Sequence, residues 1–577
     1  MLRISGRTRV LSLVLATTLA AFGTTGGGQP AHASPATAAT HLRPTMTHAQ
    51  ATDALSRADL LFHGTRAQSR MVQRHEDATM LLRDLRVAYP TLSPAQRQQA
   101  DRLFARPGPS DNDPEFPVVY TGTEQEECSA IVPICVHYDV TSGDPGGHND
   151  ATNGVDPTDG PDANTTPDYV DAIVAMMEHV WQTYAAAGYR MPLSDVDSTD
   201  NGNIGGQNAS QTDIYLGELS RYSLYGFCTS DDPRLDDTTT FFSYASAYCV
   251  LDNNYAHAEY PFHTPLENAE VTAAHEFFHA VQFSYDFYED RWLMEATATW
   301  AEDQLYTSIN DNVQYLSMSP ITRPDLPLDY GTSNDNVTSL HWYGTWIFFR
   351  FLTEREVTTK AGGLPVLIRD IWRRLDANKA ANPSAPDLYS LQGVRSALAA
   401  HGISFTTAMS QFDLAARHPT KYFSEARANH YPAAPVAISG RVGPGFKNAW
   451  TRFTLKHLSY RVLRLIPKSG MSRAWHLRVH LDLPTKAQGA AATLWINKKS
   501  GGTSAKLITL SAKGDATFSI PFNSAQIASV EIEVINASAR FNHCFNGFNS
   551  SIFYSCVAQH GQDDGTSNFV QATAYKA

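Results

Sequence analysis

The chain is poor in cysteine, in clustered positive charge and in long apolar runs, and each shortage removes a class of reading. Six cysteines stand in 577 residues, and no two are spaced as CxxC, which leaves a thiolate metal site with little support. They fall instead into neighbouring pairs, Cys128 with Cys135, Cys228 with Cys249 and Cys544 with Cys556. Six cysteines admit many connectivities, so local pairing is an expectation, of a kind that exported chains commonly meet by oxidation. Acidic residues outnumber basic ones, 58 to 45, for a net charge of −13, with no long run of either sign. Without a basic patch, nucleic acid is not the expected partner. No stretch after the N-terminus is apolar enough to cross a bilayer, so no membrane span is expected. No convincing internal repeat is present.

What is present begins with a targeting pattern. Arg3, Arg7 and Arg9 precede a short apolar run, Val10 to Phe22, and Ala31-His32-Ala33 offers a small-x-small cleavage site before Ser34. This three-part pattern predicts a signal peptide over 1–33 and a secreted, extracellular protein. The apolar run is too short for a transmembrane anchor, and no adjacent arginine pair supports a twin-arginine signal.

Hydrophobic residues make up 42% of the chain, enough for more than one core and for roughly two to four domains. Residues 34–105 read as a helical N-terminal region. Met80, Leu81, Leu85 and Val87 recur at helical spacing, and Ser93-Pro94 looks like an N-cap followed by a first-turn proline. Residues 106–117, RPGPSDNDPEFP, read as a linker. The region before it is either a propeptide or an ordinary helical subdomain. From 118 to 436 the expected order is a strand near Ile131–Val140, a helix from Asp168 to Gly188, strands at Thr212–Leu219 and Phe241–Leu251, and helices at Glu267–Ser284 and Trp292–Tyr306. A mostly helical stretch follows, from Trp342 to about His418. That order suits an α+β layer architecture. Beyond it, Trp475, Leu477, Val479, Leu481 and Leu483 alternate with other residues, as do Val530, Ile532 and Val534. Period-2 patterning predicts an antiparallel β-sandwich over 437–577.

The chemistry centres on His275-Glu276-Phe277-Phe278-His279, an HExxH sequence. Residues four apart share one helix face, so His275 and His279 can offer two imidazoles to one ion. A catalytic zinc takes a third protein ligand and keeps one place for water. Glu276, next to the first ligand, can take a proton from that water and pass it to the leaving amine. Chance is the competing account. With 21 histidines in the chain, an HExxH arises somewhere with a probability of roughly a few per cent. The motif sits inside a predicted helix free of proline and glycine between Ala269 and Phe283, which weakens that account.

One zinc class continues HExxHxxGxxH, but Gln282 and Tyr285 stand at the glycine and final histidine positions, which excludes it. Downstream, Arg291-Trp292-Leu293-Met294-Glu295-Ala296-Thr297-Ala298 resembles the W-L-x-E-x-x-A segment of gluzincins, zinc peptidases in which a glutamate on the next helix completes the site. The resemblance implies Glu295 as third ligand to one Zn2+. Some gluzincins carry an aspartate four residues later that supports a histidine; here Thr299 stands there. Glu302 and Asp303 are rival carboxylates, each more readily a solvated helix face or an ion pair. Asp335, in Gly331-Thr332-Ser333-Asn334-Asp335, faintly resembles the ligand motif of aspartate-type zinc peptidases.

The same resemblance implies a zincin-like catalytic domain with a helical C-terminal subdomain. Phe241–Leu251 would be the edge strand on which a peptide lies. A later tyrosine or histidine would serve as oxyanion donor, for which His341 and Tyr343 are the nearest candidates and Tyr343 is preferred. With its C-terminal β domain, the chain is similar to a family of secreted bacterial metalloproteases known mainly as predicted sequences. The expected function is a secreted zinc metalloendopeptidase acting on protein or peptide. The C-terminal domain would contact substrate, cell surface or carbohydrate, or only assist folding. A zinc hydrolase of cell-wall amides and an exported binding protein with a degenerate zinc site are the alternatives. Acidic loops at Asp144–Asp168 and at Asp195, Asp197 and Asp200 invite Ca2+, but Thr199 breaks the EF-hand spacing and turn formation explains them equally.

Overall fold

The computed structural model describes residues 47–73, 77–109, 118–120, 123–140, 166–195, 210–236, 243–330, 340–378, 388–447, 450–540 and 562–577. The expected signal peptide, the Cys544/Cys556 pair, Asp335 and most of the acidic loops lie outside them. Four helices come first: His48–His63 (α1), Arg66–Gln73 (α2), Ala78–Ala88 (α3) and Pro94–Phe104 (α4). Side chains satisfy their free amides. Thr47 with Gln50 caps α1, Asp77 accepts from Thr79 and Met80 to cap α3, and Ser93 with Gln96 caps α4, where Pro94 opens the first turn as expected. Every residue of α3 is buried, Arg83, Asp84 and Arg86 included.

The stretch read as a linker begins inside the fold. Arg106 is buried and its guanidinium meets Asp195 at 2.9 Å, Asp231 at 3.0 Å and Asp213. Asp195 is therefore engaged by an arginine, and the calcium reading of its loop loses that carboxylate. Gly108–Pro109 (β1) then pairs in parallel with Val119–Tyr120 (β2).

A five-stranded sheet follows, built from Gln125–Cys128 (β3), Ile134–Tyr138 (β4), Thr212–Gly217 (β5), Gly226–Thr229 (β6) and Tyr248–Asp252 (β7) in the order β3-β4-β5-β7-β6. The three inner strands are parallel and both edges antiparallel. The helix Asp168–Ala186 (α5) connects β4 and β5. The inner strands are buried along their whole length, which explains continuous apolar runs such as Tyr248–Leu251 in β7. Disulfides Cys128–Cys135 and Cys228–Cys249 tie each edge strand to its neighbour. The expected edge strand, Phe241–Leu251, needs correction. The strand found there, β7 (Tyr248–Asp252), lies one strand in, and β6 is the edge on that side. Four buried residues, GFCT, carry no alternation from which a strand could be read.

Pro265–Tyr285 (α6), capped by Thr264 with Glu267, and Arg291–Leu305 (α7) pack together as an antiparallel pair across a short loop. Short elements follow: His341–Gly344 (α8), Trp346–Phe351 (α9), Lys360–Ala361 (β8), Leu364–Pro365 (β9), Val366–Trp372 (α10), Leu391–Ala400 (α11), Phe405–Arg417 (α12) and Pro419–Tyr422 (α13).

The C-terminal strands are Ile438–Val442 (β10), Thr451–Leu455 (β11), Ser459–Pro467 (β12), Trp475–Asp482 (β13), Ala490–Lys498 (β14), Thr503–Leu507 (β15), Asp515–Pro521 (β16), Ile527–Asn536 (β17) and Thr566–Lys576 (β18). They form two sheets, β10-β12-β17-β14-β15 and β11-β18-β13-β16. Leu463, Val530 and Ile532 from one sheet share a core with Leu477, Val479 and Val570 from the other. The arrangement is not wholly antiparallel, because β10 pairs in parallel with β12. The chain crosses to the other sheet as β11 in between, which returns β12 in the direction of β10. The described chain is thus α+β, and among its helices none is long and apolar enough to cross a membrane.

Candidate metal centre

Helix α6 carries His275 and His279 one turn apart, and α7 lays Glu295 against them. The donor atoms of the three side chains lie within 4.8 Å of one another, and all three residues are buried. Nε2 of His275 is 3.3 Å from Oε2 of Glu295, and Nε2 of His279 is 3.7 Å from Oε1. Both Glu295 oxygens and Nε2 of His279 are buried without a hydrogen-bond partner. Such groups are costly unless something else satisfies them. Two imidazole nitrogens and a carboxylate converging on one point are the donor set of a catalytic zinc, so the residues fit the ion that the resemblance implies.

The outer nitrogens of both rings are held. Nδ1 of His275 meets Oε1 of Glu302 at 2.5 Å, and Nδ1 of His279 meets Oε1 of Gln282 at 2.8 Å. Gln282 is fixed in turn through its amide, which donates to the Met294 carbonyl and to Thr297. These contacts turn each Nε2 inward, as metal-binding histidines require. Burial lowers His279 to about 4, whereas the carboxylates of Glu295 and Glu302 outweigh burial and hold His275 well above its ordinary value. Burial also lifts Glu302 to about 7, against the pull of His275.

Of the rival carboxylates, Glu302 is therefore a partner of a ligand, and Asp303 is committed to Arg350 and to Asn312 at 3.1 Å. Both ring nitrogens of His341 face backbone carbonyls of Met318 and Pro327, which ties that residue away from the centre. Tyr343 stacks on His275, ring centres 5.8 Å apart, and is backed by Tyr315 at 5.0 Å. A cleft of about 210 Å³ opens here, lined by His275, Glu276, Glu302, Tyr315 and Tyr343, with Asp77 of the N-terminal region at its wall.

Glu276 is buried, and burial raises its pKa, with Asp77 and Glu295 adding to the rise and His275 opposing it. Its Oε2 accepts from the Thr79 hydroxyl at 2.9 Å. Edge strand β6 crosses directly beside it: a Cβ on Gly226 would stand 2.7 Å from Thr272 and 3.0 Å from Glu276. Sequence reasoning did not assign three contributors their roles. Gln282 and Glu302 each carried a signal, lying one turn from His279 and two turns from Glu295. Thr79 carried none, being 197 residues from its partner.

No protein-family model matches the chain, and no curated protein matches it. Among solved structures, an insecticidal delta-endotoxin from Bacillus thuringiensis aligns at 12% identity and TM-score 0.11, over 22% of this chain and 19% of its own. A GH115 4-O-methyl-α-glucuronidase specific for decorated arabinogalactans aligns at 8% identity and TM-score 0.13, over 54% of this chain and 38% of its own. The chain spans well under half the length of either, and neither likeness is close enough to inform the site.

Proposed function

We propose that this protein is a zinc-dependent endopeptidase of gluzincin type with a zincin-like catalytic domain, exported to an oxidising compartment. The observation that carries the reading is the convergence of His275, His279 and Glu295 on one point, with three of their buried donor atoms free of hydrogen bonds. Zinc, when bound, supplies a Lewis acid and an acidified water. Glu276, on the cleft wall beside the ligands, is placed to take a proton and return it to the leaving amine. Tyr343, stacked over His275, is placed to donate to the developing oxyanion. The edge strand β6 offers backbone groups to an extended peptide. Two cross-strand disulfides agree with export.

The test is purified protein, its zinc content, and its cleavage of casein and of cell-wall material beside Glu276→Gln. The reading expects zinc in both forms and casein cleavage only in the wild type. Equal cleavage by both forms contradicts it, and cleavage of cell-wall amides alone selects the hydrolase alternative.

A further inference from the structure

The edge strand that a substrate needs is already covered. The Thr79 hydroxyl at the start of α3 accepts from the backbone N–H of Cys228 at 2.9 Å while donating to Glu276 at 2.9 Å. One side chain therefore holds both the proposed general base and an outward amide of β6. Phe62 of α1 packs its ring 5.6 Å from Phe227 on the same strand. A helix cannot extend a β-ladder, so α3 takes the place of a strand without pairing as one.

The docking chemistry is that of an interface. Arg83 donates to the carbonyl of Glu289, in the loop between the two ligand helices, at 2.6 Å. Arg86 donates to the carbonyl of Asp232 at 2.9 Å, and Asp84 pairs with Arg291 at 2.9 Å. Arg106 enters its nest of three aspartates. Arginines capping carbonyls and carboxylates of an opposing surface are typical of protein–protein contacts and uncommon in a domain's own core.

We propose that residues 47–109 are an intramolecular inhibitor: α3 fills the groove in which a substrate backbone would pair with β6, and Thr79 holds Glu276, so hydrolysis requires displacement of α3. The inference rests on the peptidase reading above. Displacement frees the Cys228 amide and the Glu276 carboxylate together, which makes this hydroxyl a single latch on base and substrate site. Turnover then scales with the fraction of molecules in which α3 is displaced.

The test uses the full zinc-loaded chain with Thr79→Val, which keeps the shape and removes both hydrogen bonds, and with Arg83→Ala, which loosens α3. Peptide hydrolysis, zinc content and hydrogen exchange at the Cys228 amide are read together. The expected result is a rise in kcat/KM of about tenfold, unchanged zinc and faster exchange at Cys228. Faster exchange with no rise in a measurable, Glu276-dependent hydrolysis overturns the inhibition and leaves the peptidase reading standing. No hydrolysis by any form with zinc in place overturns both. Should the variants fail to fold, the wild type carries the test through a hydroxamate-bearing peptide that chelates the ion. Its binding should speed exchange across 78–88, and binding without that change overturns the proposal.

Discussion

Nδ1 of His275 and Oε1 of Glu302 lie 2.5 Å apart, joining the first histidine of α6 to the last turn of α7. Glu302 stands two helical turns after Glu295, so one face of α7 provides both a ligand and the group that orients another ligand. Thr299, where some gluzincins place an aspartate for this purpose, is one turn short. Replacing Glu302 with Gln keeps the volume and removes the charge. Zinc affinity is expected to fall by about 10–100-fold, measured by competition with a chromophoric chelator. Unchanged affinity would mean that the contact has no part in holding the ring.

Tyr343→Phe separates packing from chemistry. The ring stack on His275 survives the substitution and only the hydroxyl is lost. Steady-state kinetics should show kcat reduced by roughly 10²–10³-fold with KM and zinc content little changed. An unaltered kcat would assign Tyr343 to packing alone.

Gly226 has no room for a side chain. The added methyl of Gly226→Ala meets Thr272 at 2.7 Å, Glu276 at 3.0 Å and the Val250 carbonyl at 3.1 Å. Overpacking of this kind costs about 1–3 kcal/mol, and here it also pushes on the general base. Denaturant unfolding should show the stability loss, and casein cleavage should fall by more than that loss explains. Wild-type activity in a folded G226A protein would show that β6 and Glu276 are not in fixed register.

A pH effect is expected outside the cleft lining. His457 is buried between Asp329, at 3.1 Å, and Asp564, at 2.5 Å, on opposite sides of the ring. Burial lowers its pKa, but the two carboxylates outweigh burial and raise it to about 9. The folded state holds the proton more tightly than the unfolded chain. The stabilisation is therefore complete below about pH 6.5 and is lost as pH rises through about 9, a change of at most about 3 kcal/mol. Thermal unfolding should show Tm declining across that window in the wild type and much less in His457→Gln. A flat wild-type profile would contradict the assignment.

How much of this was legible in the sequence depended on distance along the chain and on burial. His275 and His279 lie one helical turn apart, so spacing alone placed them on one face with Glu276 beside the first. Glu295 needed the W-L-x-E resemblance, because α7 is buried nearly all round and gives no amphipathic stripe to orient it. For the same reason Glu302 read as either a solvated position or an ion pair; it is buried, and the pair forms with His275. Strand β6 escaped because four fully buried residues have no period to detect, and the edge was assigned to the longer aromatic run next to it. The alternation from Trp475 to Leu483 did report a half-buried strand, β13, while the parallel pairing of β10 depends on a crossover that no local pattern encodes. Arg106 sits in a Pro/Gly-rich stretch whose composition says linker; only the fold brings three aspartates to it.

The central claim is that His275, His279 and Glu295 hold one zinc ion. X-ray absorption at the zinc edge, with anomalous diffraction from crystals of the purified protein, tests it most directly. The account predicts one zinc per chain, bound by two imidazole nitrogens at about 2.0–2.1 Å and by carboxylate oxygen, and lost in Glu295→Ala. A protein that binds no zinc, or whose zinc stays in place without Glu295, would contradict it.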